Sequence, residues 1–345
     1  MPLSSKIFNE KFLYKDVESI INRINDLKIL IIGDTIIDEY NYVSFLGKPS
    51  KENITSTLYK KTEKKAGGVL TAINILSSFC NNIDYISVMG DNEGDEKFIS
   101  EYSAKNINQK ITFKRKYPTT KKTRFVLDGK QLRKLFEVYE MNDELIDQAI
   151  EGQIIKYLDK NLSDYDLVIV QDYGHGLITK KIISKLTDKS KFLAVNAQIN
   201  SGNFGYNIIT KYHKADYYCL DLPEARMAVN SKYMELETIT QKLLDITKGQ
   251  YVSMTMGKEG SISCNSSGEI CHSPALESEG KIVDTMSAGD SYYALSAPVL
   301  LLSSSIQLAA FAGNIAGAMK VGVSGMHDLI DKRVFLEKIK LQINS

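Results

Sequence analysis

The stretch "LKILIIGD", residues 27–34, decides the fold. It is a nearly continuous apolar run closed by Gly33 and Asp34. A strand that is apolar on both faces is buried on both, as in a parallel sheet held between helices. The pattern returns in "DYISVMGD" (84–91), "DLVIVQDYG" (166–174), "KFLAVN" (191–196), "DYYCLD" (216–221) and "YVSMTMG" (251–257). Segments with helical spacing separate the runs, at 68–79, 95–105, 143–160, 178–189, 223–230 and 236–247, and residues 288–345 read as helices. Alternation of this kind predicts an α/β fold: a mostly parallel sheet with helices on both faces. In such sheets ligands bind beyond the carboxyl ends of the strands. Asp34, Asp91, Asp172, Asn196, Asp221 and Gly257 fall there.

Two segments interrupt the pattern. Residues 39–65 are polar, aromatic and β-branched, and residues 111–139 alternate and hold a hairpin-like "DG" at 128–129. Both read as strands of a small separate sheet inserted at the strand ends, where it can act as a lid. The 345 residues are then expected to form one domain, 1–345, carrying that lid.

Bulk properties narrow the function. A net charge of +1 gives no basic footprint for nucleic acid. No apolar run reaches the ~18 residues a membrane span needs. The first 20 residues are charged throughout and lack the apolar core of a signal peptide. Cys80, Cys219, Cys264 and Cys271 are far apart, with no CxxC pair, and read as reduced buried thiols of a cytoplasmic protein. His175, His213, His272 and His327 show no metal-ligand spacing.

The chemistry starts from "VDTMSAGDSYYA" (283–294), where Ser287, Ala288 and Gly289 lie between Asp284 and Asp290 ahead of a helical segment. A turn of small residues at a helix start points several backbone N–H groups one way and makes an anion site. An acid in that turn repels an anion, unless it takes a proton from a hydroxyl attacking a phosphoryl group. The alternative is that Asp290 caps the helix. "KAGGVLTAINIL" (65–76) puts Gly67 and Gly68 at a helix start, and "GDTIID" (33–38) puts Asp34 and Asp38 at a strand end. "DLPEAR" (221–226) sets Asp221 and Glu224 three apart, either as a capping box or as a carboxylate pair holding Mg²⁺ through water.

Together these motifs resemble the ribokinase/PfkB family of carbohydrate kinases, from about residue 28 to about 325. "DTMSAGD" looks like its C-terminal signature, "AGG" like its N-terminal glycine signature, "GDNEG" (90–94) like its second-strand motif and "DLPE" like its Asn-x-x-Glu motif. "YPTTKKTRFV", "LRKLFEVYE" and "VQDYGHGLIT" look most like the heptose-phosphate kinase branch. Members of that branch are often fused to a nucleotidyltransferase domain, for which this length is expected to leave no room. The resemblance implies a ribokinase-like α/β core with a β-lid that uses ATP and Mg²⁺ to phosphorylate a sugar hydroxyl. It implies Asp290 as the base, with the N–H groups of Ser287, Ala288, Gly289 and Asp290 as the anion hole. Asp34, Asp38, Gly67 and Gly68 bind the sugar on this reading. Asn196, Asp221 and Glu224 lie along the triphosphate and Mg²⁺, while Thr255, Gly257, Gly260 and Asn314 border the nucleotide.

Three positions depart from the family pattern. Ser287 replaces a glycine and serves the anion hole only at negative φ. Thr71 stands where an Asn faces the sugar, and Asp221 replaces Asn. The basic residues Lys121, Lys122, Arg124, Arg133 and Lys134 form either a solvated strand face or, chiefly through Lys122 and Arg124, the grip on an anionic group of the sugar. Tyr40, Tyr42 and Phe45 read as lid packing, with a homodimer through the lid as the expected assembly. The substrate expected is a sugar or sugar phosphate. A nucleoside kinase of the same fold and a non-catalytic binding relative stay open as alternatives.

Overall fold

The computed structural model describes residues 12–104, 106–127, 133–142, 144–276, 287–321 and 329–344. Asp284, the "DG" at 128–129 and His327 lie outside the described residues. The strands are β1 (Ile29–Gly33), β2 (Thr35–Gly47), β3 (Ser56–Gly68), β4 (Ile83–Gly90), β5 (Gln109–Arg115), β6 (Thr120–Leu127), β7 (Arg133–Glu140), β8 (Leu167–Asp172), β9 (Leu193–Ala197), β10 (Tyr217–Asp221), β11 (Tyr251–Thr255), β12 (Ser261–Asn265) and β13 (Ile270–Ser273). The helices are α1 (Tyr14–Arg23), α2 (Val69–Leu76), α3 (Glu93–Tyr102), α4 (Gln148–Asn161), α5 (Lys180–Lys189), α6 (Leu222–Ala228), α7 (Leu236–Thr247), α8 (Ala288–Ser303), α9 (Ile306–Val321) and α10 (Lys332–Asn344).

Nine strands form the large sheet in the order β13-β12-β11-β10-β9-β8-β1-β4-β5, parallel except for the β11-β12-β13 end. Side chains alternate across it, as the period of two requires. Ile29, Ile31, Leu167 and Ile169 pack on one face against α1, α2, α8, α9 and α10. Leu30, Ile32, Val168 and Val170 pack on the other against α4, α5 and α7. The expected α/β architecture, a mostly parallel sheet with helices on both faces, is the one observed.

The small sheet has the order β3-β2-β6-β7. It is mixed: β2 runs antiparallel to β3 but parallel to β6. Its first two strands reach beyond the expected segment 39–65, beginning at Thr35 and ending at Gly68. The first part of the 111–139 segment is corrected: β5 extends the large sheet, pairing in parallel with β4 from Asp84↔Gln109 to Gly90↔Arg115. As an edge strand it is half exposed, so its sequence alternates like a strand of the small sheet.

Candidate active site

The chain leaves β1 at Gly33, where a Cβ would run into the backbone oxygen of Gln171. It bends at Asp34 into β2, so the small sheet grows from the carboxyl end of β1, an interior strand of the large sheet. Gly68 closes the return strand at φ +61, where a Cβ would meet the Asp34 carbonyl; the position therefore requires glycine. Between the two sheets lies a cavity of about 410 Å³. Of the expected residues, Asp38, Gly68, Lys122, Arg124, Asn196, Asp221, Glu224, Thr255, Ser287, Gly289 and Asp290 line it, with Thr71 beside them.

Asp290 sits in the first turn of α8. Its Oδ1 accepts hydrogen bonds from the Tyr173 hydroxyl at 3.0 Å and from Gln198 Nε2 at 2.8 Å. Burial and, to a smaller extent, the charge of Asp38 raise its pKa to about 6 against the pull of Tyr173, Gln198 and Lys122. Oδ2 has no hydrogen-bond partner among the described residues. The helix ladder starts at the Ser291 N–H, which donates to the Ser287 carbonyl at 2.9 Å. The N–H groups of Ala288, Gly289 and Asp290 precede that ladder at the positive end of the helix. Ala288 lies beside the cavity residues in this same turn. Asp290 therefore does not cap α8, because no side-chain cap is made there.

Ser287 corrects an expectation. Its φ is +61, so it holds the left-handed conformation that favours the glycine it replaces. The condition of a negative φ is not met, and its N–H is aimed differently from that of a residue in the α or β region.

Asp34 is likewise repositioned. It is 5% exposed and does not line the cavity. Its Oδ2 accepts the N–H groups of Tyr173 (3.1 Å) and His175 (3.3 Å), and Oδ1 that of Leu177 (3.4 Å). Burial and the nearby Asp172 raise its pKa to about 6, opposed by those three N–H groups. Asp34 thus anchors the loop 173–177, which delivers the Tyr173 hydroxyl to Asp290. Gly67 also stands outside the lining, under Asp38, where a Cβ would strike Asp38 Oδ2.

The basic cluster separates into different fates. Arg124, 4% exposed, is bound to Asp38 Oδ1 and, through Nε at 2.9 Å, to Glu137 Oε1. Two carboxylates already hold it, so it braces the small sheet. Lys121 pairs with Glu140 at 2.9 Å on the outer face, and Arg133 and Lys134 are exposed. Lys122, 7% exposed, has its ammonium 5.4 Å from the Tyr139 ring centroid and 5.7 Å from that of Tyr173. Burial lowers its pKa, and no carboxylate among the described residues pairs with it.

Asp221 and Glu224 form a complete capping box: Asp221 Oδ1 accepts the Glu224 N–H at 2.8 Å, and Glu224 Oε2 accepts the Asp221 N–H at 2.9 Å. Glu224 Oε1 also takes the Ile199 N–H at 2.9 Å. Burial, then the charge of Asp221, pushes the Glu224 pKa strongly upward despite these donors. A buried acid so short of positive charge fits a cation held through water. No group of three acidic, His or Cys side chains able to hold a metal occurs among the described residues. Asn196 donates to the Cys219 carbonyl at 2.8 Å and leaves Oδ1 buried without a partner beside the same pair.

The nucleotide border is only partly assembled. Thr255 lines the cavity, whereas Gly257, Gly260 and Asn314 do not. Asn314 Nδ2 ties α9 to Ser273 Oγ at 2.8 Å. Tyr173 and Gln198, not singled out in the sequence, each lie just past the end of an observed strand, β8 and β9, where ligands are expected. His272 pairs with Glu237 at 2.9 Å on the surface, and the four cysteines are buried thiols outside any disulfide.

The family model described as pfkB family carbohydrate kinase matches residues 26–333. The chain belongs to this family. That family is one of carbohydrate kinases, phosphotransferases that use ATP. A curated relative, the bifunctional protein HldE of Campylobacter jejuni subsp. jejuni serotype O:2, is 28% identical over 90% of this chain and 66% of its own length. HldE of Campylobacter jejuni subsp. doylei is 27% identical over 86% of this chain and 62% of its own. The chain thus spans less than two thirds of these relatives. Phosphofructokinase-2 of Escherichia coli superposes with a TM-score of 0.71 at 14% identity, covering 92% of this chain and all of that one. Ribokinase of Thermotoga maritima gives 0.63 at 18%, covering 91% and 99%. These two likenesses concern the fold. No helix among the described residues is long and apolar enough to cross a membrane.

Proposed function

We propose that this kinase transfers the γ-phosphoryl group of ATP to a hydroxyl of a phosphorylated sugar, of heptose-phosphate type, with Asp290 as general base. The observation that carries this reading is the Asp290 carboxylate: one oxygen is fixed by Tyr173 and Gln198, the other is open to the cavity, and its pKa of about 6 leaves it ionised at neutral pH. Oδ2 takes the proton of the attacking hydroxyl while the leading N–H groups of α8 hold the phosphoryl oxygens. Asp38 and Gly68 border the sugar; Thr255 and Asn196 border the triphosphate. Asp221 and Glu224 would hold Mg²⁺ through water, the ion supplying neutralisation of phosphate charge. The small sheet covers the cavity as a lid within one domain. Its exposed Phe45, Leu58, Tyr59 and Phe136 support a homodimer through that sheet, readable as a doubled mass in light scattering.

ADP production measured across sugars, sugar phosphates and nucleosides tests the reading. Turnover with a sugar phosphate is expected. Preference for a nucleoside overturns the substrate class, and no turnover with any acceptor overturns the kinase reading.

A further inference from the structure

The two side chains that hold Asp290 are themselves held from behind. Tyr173 and Gln198 donate to one carboxylate oxygen from different loops, past the ends of β8 and β9. The Gln198 N–H still bonds to the Asp172 carbonyl at 2.8 Å, but beyond that point asparagine side chains take over. They come from "NSGNFGYN", residues 200–207. The Tyr173 carbonyl accepts Asn200 Nδ2 at 2.7 Å and Asn203 Nδ2 at 3.1 Å. The Gln198 carbonyl accepts Asn203 Nδ2 at 3.0 Å and Asn207 Nδ2 at 3.1 Å. Of these three asparagines, Asn203 alone donates to both residues, one amide proton to each. Its Oδ1 accepts the N–H groups of Asn200 at 3.2 Å and Gly205 at 3.4 Å, which settles the orientation of the amide. Asn203 is buried, and the next residue, Phe204, is held at φ +44, a left-handed backbone that a phenylalanine adopts only where its surroundings impose it. Gly174 makes room for the amide: a Cβ there would stand 2.8 Å from Asn203 Nδ2.

We propose that Asn203 is a positioning residue for Asp290: it clamps the Tyr173 and Gln198 loops together, so that their side chains meet one carboxylate oxygen and leave the other aimed at the substrate hydroxyl. This role rests on the reading of Asp290 as the base. Asn203 is not among the residues that line the catalytic cavity, so it acts through Tyr173 and Gln198 and not on the substrate. A neutral amide suits the task, because it satisfies two carbonyls and brings no charge near the carboxylate. The titratable groups that act on Asp290, or on which Asp290 acts, are Asp38 on β2, Lys122 on β6, Tyr173 past β8, Cys219 on β10 and Glu224 on α6. Only Tyr173 of these bonds to Asn203, through its backbone carbonyl, so removing the amide leaves the charges around Asp290 as they are.

The probe is the ¹³C resonance of the Asp290 carboxyl in the full chain, assigned with Asp290→Asn and followed through its titration. In wild type the midpoint should lie at about 6. In Asn203→Ala the two hydrogen bonds that favour the carboxylate loosen, so the midpoint should rise by about half a unit or more. Adding Asn203→Ala to the double variant Tyr173→Phe/Gln198→Ala should move it no further, because the side chains it acts through are gone. With substrates, Asn203→Ala should lower kcat roughly ten- to a hundred-fold, the cost of a misaligned base, and leave KM for ATP and for the sugar little changed. Where Asn203→Ala fails to fold, wild type itself decides: its Asn203 Nδ2 protons should exchange with solvent about a hundred-fold or more slowly than those of exposed asparagines. An unmoved or lowered midpoint, a further rise in the triple variant, a KM effect without loss of kcat, or fast exchange in wild type would each overturn the clamp. If no acceptor yields ADP, the kinase reading fails, and the carboxyl titration still judges the clamp by itself.

Discussion

Two carboxylates, the buried Asp34 at the carboxyl end of β1 and the half-buried Asp290 at the amino end of α8, are raised by desolvation to the same pKa of about 6 yet serve different ends. Asp34 gives both oxygens to the backbone of the loop 173–177. Asp290 gives one oxygen to Tyr173 and Gln198 and keeps the other for the cavity. A perturbed pKa alone therefore does not identify a base; an unengaged oxygen facing a ligand cavity does. The two are also linked, because the loop that Asp34 anchors carries the hydroxyl that fixes Asp290.

The largest expected effect separates them directly. Asp290→Asn should lower kcat roughly 10²- to 10⁴-fold, the worth of general-base assistance, with ATP affinity by calorimetry unchanged and thermal stability equal or higher. Asp34→Asn should act the other way round. Its amide NH₂ faces backbone donors, so stability should fall by about 1–3 kcal/mol in denaturant titrations, with a smaller loss of kcat.

The sign with pH follows from the raised pKa. Asp34 binds its proton more tightly folded than unfolded, so its stabilising contribution is full below 3.8 and disappears as pH rises through about 6. The stability gap between wild type and Asp34→Asn should therefore widen as pH falls from 7 to 4.

Tyr173→Phe tests the link. It removes a hydrogen bond that favours the Asp290 carboxylate, so the acid limb of kcat/KM should move to higher pH, with a several-fold loss at pH 6. The smallest effect belongs to Ser287→Gly, which relieves a left-handed residue at φ +61 and should raise the melting temperature slightly with activity kept or improved. Ser287→Pro, locked near φ −65, should damage both.

The large sheet was legible because strands buried on both faces must be apolar throughout, and β1, β4, β8, β9, β10 and β11 stand where those runs were read. The β12-β13 hairpin was not, because "SISCN" and "ICHS" are short and rich in small polar residues. The motif of Asp290 was legible from its small-residue turn. What lay beyond the sequence was partnership. Lys122 and Arg124 look alike in "KKTR"; the register sets Glu137 opposite Arg124 but Asp38 opposite Lys122, and only the side-chain packing turns Asp38 diagonally to Arg124 and leaves Lys122 with no carboxylate partner among the described residues. Asp34 looked like a sugar ligand because it ends a strand, but the glycines and backbone of the 173–177 loop come close enough to claim it. Asp221 and Glu224 satisfy the capping spacing and line the cavity as well, so spacing alone could not choose between those roles.

The most direct test is the pH dependence of kcat/KM for the accepted sugar in wild type, Asp34→Asn and Asp290→Asn. An ionisation near pH 6, rising with slope one to a plateau, is expected in wild type and in Asp34→Asn, and a pH-independent residual rate in Asp290→Asn. A limb that persists in Asp290→Asn, or disappears in Asp34→Asn, contradicts Asp290 as the base.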